Sequence, residues 1–381
     1  VKPLRFLADR LLRRQNSPQG FIGFRHTHGV GIRSKYYVIP LSRGASGFTR
    51  AIATDEPLTM VENRATSSDL NALQEIAHNF LPQLAQHKHT AGIFIIAVGD
   101  EPISAAEVSA QIQGLGVVCE YFELNQISDI ETAQIIAMST ARELKMMALS
   151  GLDRINPGQL AITYRSEPSG LEELVGLLEK SGFEIRLHQM SGSRGSELAT
   201  LALDNAHAIL SFVGEDEYPS GTLITPVINV ACDSAFHHSI AEQFDLKSQV
   251  TPGEILHTVQ QVFGMVPTFT ETAGLYEPLF KVNTPSLDDI DDANEICLIP
   301  AHSVIVPFLI DLVSNQSGLF LRDVESAARG EIKARKILYI GTGGKDDEFS
   351  RALDGDQRVA VLKLSEYGSL QELGKAIVAQ L

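Results

Sequence analysis

The sequence predicts an α/β protein made of two or three Rossmann-like units with mostly parallel sheets. Three observations carry that expectation. Apolar runs of strand length recur along the chain, segments with helical apolar spacing follow them, and clusters of Gly, Pro and polar residues separate the two. Strand and helix signals that alternate in this way are the mark of parallel sheets joined by helical crossovers.

Residues 4–14 place apolar side chains at helical spacing among arginines, so residues 1–19 read as a short amphipathic helical extension that packs on the body. A first α/β domain is expected over 20–150. It opens with a glycine-rich turn running into an apolar strand (20–41), then has a strand at 93–98, a helix at 104–114, a strand at 117–122 and a helix at 129–150. GLDRINPG at 151–158 reads as a linker. A second α/β domain (151–285) follows, with strands at 160–164, 184–188, 207–213 and 227–231 and a helix at 169–181. A C-terminal α/β unit (286–381) contains strands at 296–299, 336–340 and 359–364 and helices at 305–313 and 369–381.

Composition bounds the function. The chain has 381 residues, 44% of them hydrophobic and 20% charged, which is ordinary for a folded globular protein with several domains. A formal charge of −16 argues against a nucleic-acid partner, because phosphate binding draws on Lys and Arg. No apolar run reaches the roughly 20 residues that span a bilayer, so no membrane partner is expected. Cys119, Cys232 and Cys297 stand singly with no C-x-x-C spacing, which indicates neither a disulfide framework nor structural zinc. A reducing cytoplasm is the simplest compartment.

The chemistry concentrates in residues 20–41, where Arg25, His26, His28 and Arg33 stand among glycines. Arginine offers a planar fork to a carboxylate, and histidine binds metal or moves protons near neutral pH. The same residues also suit a β-hairpin whose glycines supply positive φ and whose charges sit in water. His26 and His28 would face one side if the chain there were extended. His237 and His238 follow an apolar strand and Asp233. One of them reaches a cleft at the carboxyl ends of the strands, or the two form a helix start with one packed and one solvated. His87 and His89 lie in a polar connection and read as surface residues. The loop 341–345 (GTGGK) could cradle an anion or simply join strand to helix, and the acidic loop 214–217, which could offer oxygen ligands to a hard cation but lacks the spacing of a calcium loop, reads as a solvated turn.

Several segments resemble the altronate and galactarate dehydratases in the family's order. Gly23, Phe24 and Arg25, then His28, Gly29, Val30, Gly31, Ile32 and Arg33, then Tyr37, Val38, Ile39 and Pro40 look like its opening signature, with Ser34 where the family has Asn. Gly99, Asp100 and Glu101 stand where it carries Gly-Cys-Glu, and residues 41–44 (Leu-Ser-Arg-Gly) stand at its other cysteine position. Residues 165–170 are the nearest match to its Gly-Gly-Ser-Asp-like motif. Asn229 occupies the position of a family lysine, Asp233 lies near its Asn turn, and Glu271 matches its late carboxylate.

The resemblance implies a hydro-lyase of carbohydrate-acid metabolism that eliminates water from a sugar acid, with a divalent metal, iron(II), as cofactor. On that reading Arg25 and Arg33 clamp the substrate carboxylate, with Asp233 and His238 as further substrate-binding residues. His26, His28 and Glu271 supply acid–base catalysis, and His28 is the metal ligand. Loss of both cysteines and of the family's central region makes dehydratase activity doubtful, so a protein that binds a sugar acid or related carboxylate without turnover stands first. An active sugar-acid dehydratase is the alternative, and an oligomeric structural or regulatory subunit is the third reading. The partners expected are a small carboxylate and further copies of the chain in a homo-oligomer.

Overall fold

The strand signals form three four-stranded sheets whose assigned neighbours run parallel. The computed structural model describes residues 20–63, 65–67, 69–126, 129–215, 217–277, 279, 296–300, 305–316, 318–321, 334–341, 358–363, 366–367 and 369–381. The helix expected over 4–14, residue 216 of the acidic loop, residue 364 of the last expected strand and residues 342–345 of the GTGGK loop lie outside them.

All three sheets share one topology. Across the first run Phe183–Gln189, Gly158–Tyr164, Ala208–Phe212 and Val227–Val230; across the second Thr59–Met60, Lys35–Pro40, Thr90–Ala97 and Val118–Glu123; across the third Leu319–Leu321, Ile296–Pro300, Lys336–Gly341 and Val359–Lys363. In chain order each reads second, first, third, fourth. The chain moves outward one way from the first strand and the other way from the third, which leaves a topological switch point between those two strands. In open α/β sheets, ligands bind there, at the carboxyl ends.

The described residues group into two compact units, drawn from Val1–Lys35, Gln83–Ala91 and Ala148–Leu279, and from Tyr36–Pro82, Gly92–Met147 and Phe280–Leu381. Neither is continuous in sequence, so the linear segment 20–150 is shared between them. In the second unit, Val38, Phe94 and Ile96 of one sheet and Leu298, Leu338 and Ile340 of the other enter a single hydrophobic core. One face of the C-terminal sheet is therefore part of that core, while Cys297, Ile299, Phe320 and Tyr339 on its other face form a separate cluster.

The first unit holds the sheet beginning at Gly158–Tyr164. Its side chains alternate: Leu160, Ile162, Leu210 and Ile228 enter one core layer, and Ala161, Ile209 and Val227 enter the other. Helix Leu171–Lys180 covers the first layer with Leu171, Leu174 and Leu178, while Glu172 and Glu173 in its first turn and Lys180 in its last complement the helix dipole. Helix Pro252–Phe263 joins it, begun by a capping box between Thr251 and Glu254 with Pro252 in its first turn.

The same unit carries an antiparallel sheet of Gly29–Gly31, Phe21–His26 and Gly151–Ile155. The expected linker at 151–158 is thus half strand. Its Gly and Pro hide the signal, and only Ile155 of that strand is buried, so the strand is defined by pairing with Phe21–His26. Phe21–His26 and Gly29–Gly31 form the hairpin that residues 20–41 allow, turning through Thr27 and His28, with Gly29 at φ 137°. Among the described residues no helix is long and apolar enough to cross a membrane.

Candidate functional site

A cleft of about 710 Å³ opens at the switch point of the first unit. Arg165 and Ser166 follow strand Gly158–Tyr164, Val213 and Gly214 follow Ala208–Phe212, and Cys232 and Asp233 come just after Val227–Val230. Phe212, Val230, Leu174 and Ile255 supply an apolar floor, and Ser169 and Gly170 bring in the start of helix Leu171–Lys180, which has no side-chain cap. The fold explains the place. Parallel strands end together, their chains must turn there, and the change of winding direction parts the two turns.

Arg165 is the cation of this cleft. Its Nε and Nη2 donate to Glu217 Oε1 at 2.7 and 2.5 Å, and Nη2 also donates to the Gly192 carbonyl at 2.9 Å. Nη1 has no acceptor among the described residues. Asp233 accepts from Gln249 at 3.0 Å and pairs with His238 at 3.2 Å, both partners well exposed. Of the residues that the sequence singled out for the site, Asp233 alone lines this cleft. The segment 165–170, read as the nearest match to a family motif, forms its wall.

The other expected site residues are placed elsewhere. Arg33 donates from Nε and Nη2 to the two carboxylate oxygens of Glu271 at 2.9 and 2.8 Å, and to the carbonyls of Ile32, Val262 and Val266. All five guanidinium donors are in use. Arg33 is therefore an internal brace and not a ligand clamp, and Glu271 is its counter-ion and not a free base. Glu271 also accepts from the Thr268 backbone, closing a capping box on Phe269–Ala273. Burial favours its neutral form, but the Arg33 hydrogen bond and charge, then Lys35, outweigh that and hold its carboxyl below the usual range.

Arg25, on the central strand of the antiparallel sheet, pairs with Asp153 of the neighbouring strand at the exposed surface, so its charge is met locally. His26 Nε2 lies 3.3 Å from the Arg33 carbonyl and Nδ1 lies 2.9 Å from Ser150 Oγ, and burial lowers its pKa against the effect of that carbonyl. Both ring nitrogens are engaged. His28 sits in the hairpin turn, which removes the extended geometry that would have put His26 and His28 on one side. Among the described residues no group of three or more His, Cys, Asp or Glu is placed to hold a metal ion, so His28 gathers no further donors there to make the expected metal site.

At the switch point of the Lys35–Pro40 sheet, in the second unit, the two segments in which the resemblance places cysteines meet through Ser42 and Glu101. Ser42, just past Lys35–Pro40, donates to Glu101 Oε1 at 2.6 Å, and Glu101 caps the turn after Thr90–Ala97 through the Val98 and Gly99 amides. Asp311 accepts from Ser67 at 2.8 Å and is itself pushed upward by burial. Asp100 keeps solvent contact, yet the burial of its recess, then the charges of Glu101 and Asp311, push it up to about 6. A carboxyl of that kind exchanges protons near neutral pH.

Three clusters escape a linear reading. His87, His89 and His207 are buried, at 1, 0 and 5% exposure, which corrects the surface assignment of the first two. Burial, then nearby Lys88, pushes His87 and His207 down to about 3. His89 Nδ1 donates to the Ile224 carbonyl at 3.2 Å, so Nε2 carries the lone pair, buried and without a partner among the described residues. Lys35, beside Glu271, is pushed down to about 8. Arg194 is buried beside the sheet, donating to Ser211 at 2.7 Å and Asn229 at 2.6 Å with no carboxylate in direct contact among the described residues, and burial pushes it down to about 10. Their spacing in sequence carries no signal, because each cluster is assembled from separate elements.

No family model matches the chain, and no curated protein matches it. Among solved structures it is similar to the crystal structure of a ketoreductase domain from the bacillaene assembly line, with 12% identity over 94% of each chain and a TM-score of 0.22. An overlay at that level carries no argument about fold or activity.

Proposed function

We propose that this chain is a divergent relative of the altronate and galactarate dehydratases that binds a sugar acid or related small carboxylate, and that the ligand sits in the switch-point cleft of the first unit. The observation that carries the reading is Arg165, set in the wall of a 710 Å³ cleft with Nη1 left to donate. A ligand carboxylate takes that donor near the positive start of helix Leu171–Lys180. Ser166, Ser169 and Asp233 meet hydroxyl groups, and the apolar floor takes the C–H faces of the ligand. Three cysteines, none of them in a disulfide, fit a cytoplasmic setting. Calorimetry with galactarate and altronate tests this. Arg165→Ala is expected to cost about 1.5–3 kcal/mol of binding, and an unchanged affinity, or no binding by the parent chain, sinks the assignment.

A second reading, an active hydro-lyase, is favoured by Asp100, a carboxyl pushed up to about 6 next to Glu101, which accepts from Ser42. We expect no turnover, because Arg33 and Glu271 are committed to each other and the expected metal donors do not gather. Anaerobic assays with iron(II), manganese(II) or magnesium(II) decide it. Sustained formation of 2-keto-3-deoxy acids that is lost in Asp100→Asn restores the enzyme.

A further inference from the structure

The cleft carries a pair of side chains that carboxylate binding does not use. Cys232 lines it, and its Sγ lies 3.2 Å from His237 Nδ1. His237 is 1% exposed, and its other nitrogen, Nε2, is 2.9 Å from the Glu217 carbonyl oxygen. A carbonyl only accepts, so Nε2 bears the ring proton and Nδ1 presents its lone pair toward the thiol. The Cys232 backbone N–H shares that lone pair at 3.0 Å, which fixes the ring beside the sulfur. Helix Ala235–Ser239 carries His237, begun by Ser234, whose hydroxyl accepts from the His237 amide.

Thiol, base and orienting carbonyl are the three parts of an activated nucleophile, and here the thiol alone of the three reaches the cleft. The other two cysteines make the contrast. Cys119 and Cys297 are fully buried in strands, and burial pushes the Cys119 thiol up to about 12.

We propose that Cys232 is a nucleophile of this cleft, with His237 as its general base, and that it takes small carbonyl compounds, aldehydes foremost. In the step, Sγ attacks the carbonyl carbon and a C–S bond forms. The C=O π pair moves to oxygen, the thiol proton passes to Nδ1, and Nδ1 returns it to the oxygen to leave a neutral thiohemiacetal. Nothing is oxidised or reduced and no group leaves. This rests on the cleft but not on the class of carboxylate assigned to it.

The test follows alkylation of each cysteine by iodoacetamide at neutral pH, read by peptide mass spectrometry on the full chain. Cys232 is expected to react at least about tenfold faster than N-acetylcysteine under the same conditions, and His237→Gln to remove that advantage. A rate at or below that of N-acetylcysteine, or one unchanged by His237→Gln, overturns the proposal. Should His237→Gln fail to fold, the wild-type comparison decides alone. Carbon-13 glyoxylate, a small aldehyde, is then expected to show a thiohemiacetal resonance that Cys232→Ser abolishes, and fast alkylation without that resonance overturns the carbonyl assignment. Fast alkylation without galactarate binding sinks only the carboxylate reading, and galactarate binding with slow alkylation sinks only this one.

Discussion

Arg33 and Glu271 stand 238 residues apart in sequence and meet fork to fork, at 2.9 and 2.8 Å, with side-chain exposures of only 12 and 10%. The pair ties the end of the hairpin segment to the capped turn at Thr268, and the Val262 and Val266 carbonyls complete its shell. The sequence marks both residues. Its reading as clamp and base fails because each is consumed by the other.

Arg33→Ala is therefore expected to lower stability rather than only to weaken a ligand. Removing one partner leaves a buried charge, a loss of about 3–5 kcal/mol, measurable by urea unfolding. Replacing both with apolar residues, Arg33→Met with Glu271→Leu, should recover much of it. Because the folded pKa of Glu271 lies below its unfolded value, its contribution is present above the ordinary carboxylate range and is lost as pH falls through the lowered value. An Arg33→Ala midpoint equal to that of the parent chain rules out this role.

The buried histidines predict acid sensitivity. An unfolded chain protonates them near 6.5, while folding keeps His87 and His207 neutral to about 3. The unfolded state then binds more protons across that window, so stability falls as pH drops from 6.5 toward 3, by ~1.4 kcal/mol per pH unit for each imidazole. His207→Gln should reduce the slope of stability against pH by about one proton's worth. A slope the same in both proteins excludes His207 from the effect.

Lys35 predicts the opposite end of the scale. Burial, opposed by Glu271 and reinforced by Arg33, holds its folded pKa at about 8 against 10.5. Between those values the unfolded chain holds the proton and the folded one does not, so this residue's contribution to stability rises with pH from about 8 to 10.5. Lys35→Met should flatten that rise in unfolding measured across the window. A rise of undiminished steepness in the variant refutes the assignment.

Gly99 adopts φ 96°, and a Cβ there would run into the Asn125 amide, which itself donates to the Gly99 carbonyl at 2.7 Å. Gly99→Ala is expected to cost about 1–2 kcal/mol for the left-handed backbone, with the displacement of Asn125 added. Gly99→Ala combined with Asn125→Ala should recover the steric part and retain the backbone part. An unfolding midpoint untouched by Gly99→Ala contradicts this account of the turn beside Asp100.

The sequence alone determined the elements whose signals are local. The continuous apolar run read as a strand at 93–98 is the wholly buried Thr90–Ala97, and the helices read from 104 and from 369 begin one residue later, with Ser104 and Ser369 as their caps. For His237 and His238 the sequence left a cleft position and a helix start open, and the structure has the helix start, with His237 packed and His238 solvated. Tertiary structure alone decided what depends on pairing: the shared strand order of three sheets, the strand Gly151–Ile155 that reads as a linker, and the burial of His87 and His89. It also decided which arginine keeps a donor for a ligand. Arg33 and Arg165 are chemically identical in the sequence, and they differ because Glu271 and three carbonyls fold around one, while the other ends a strand where the sheet changes its winding direction.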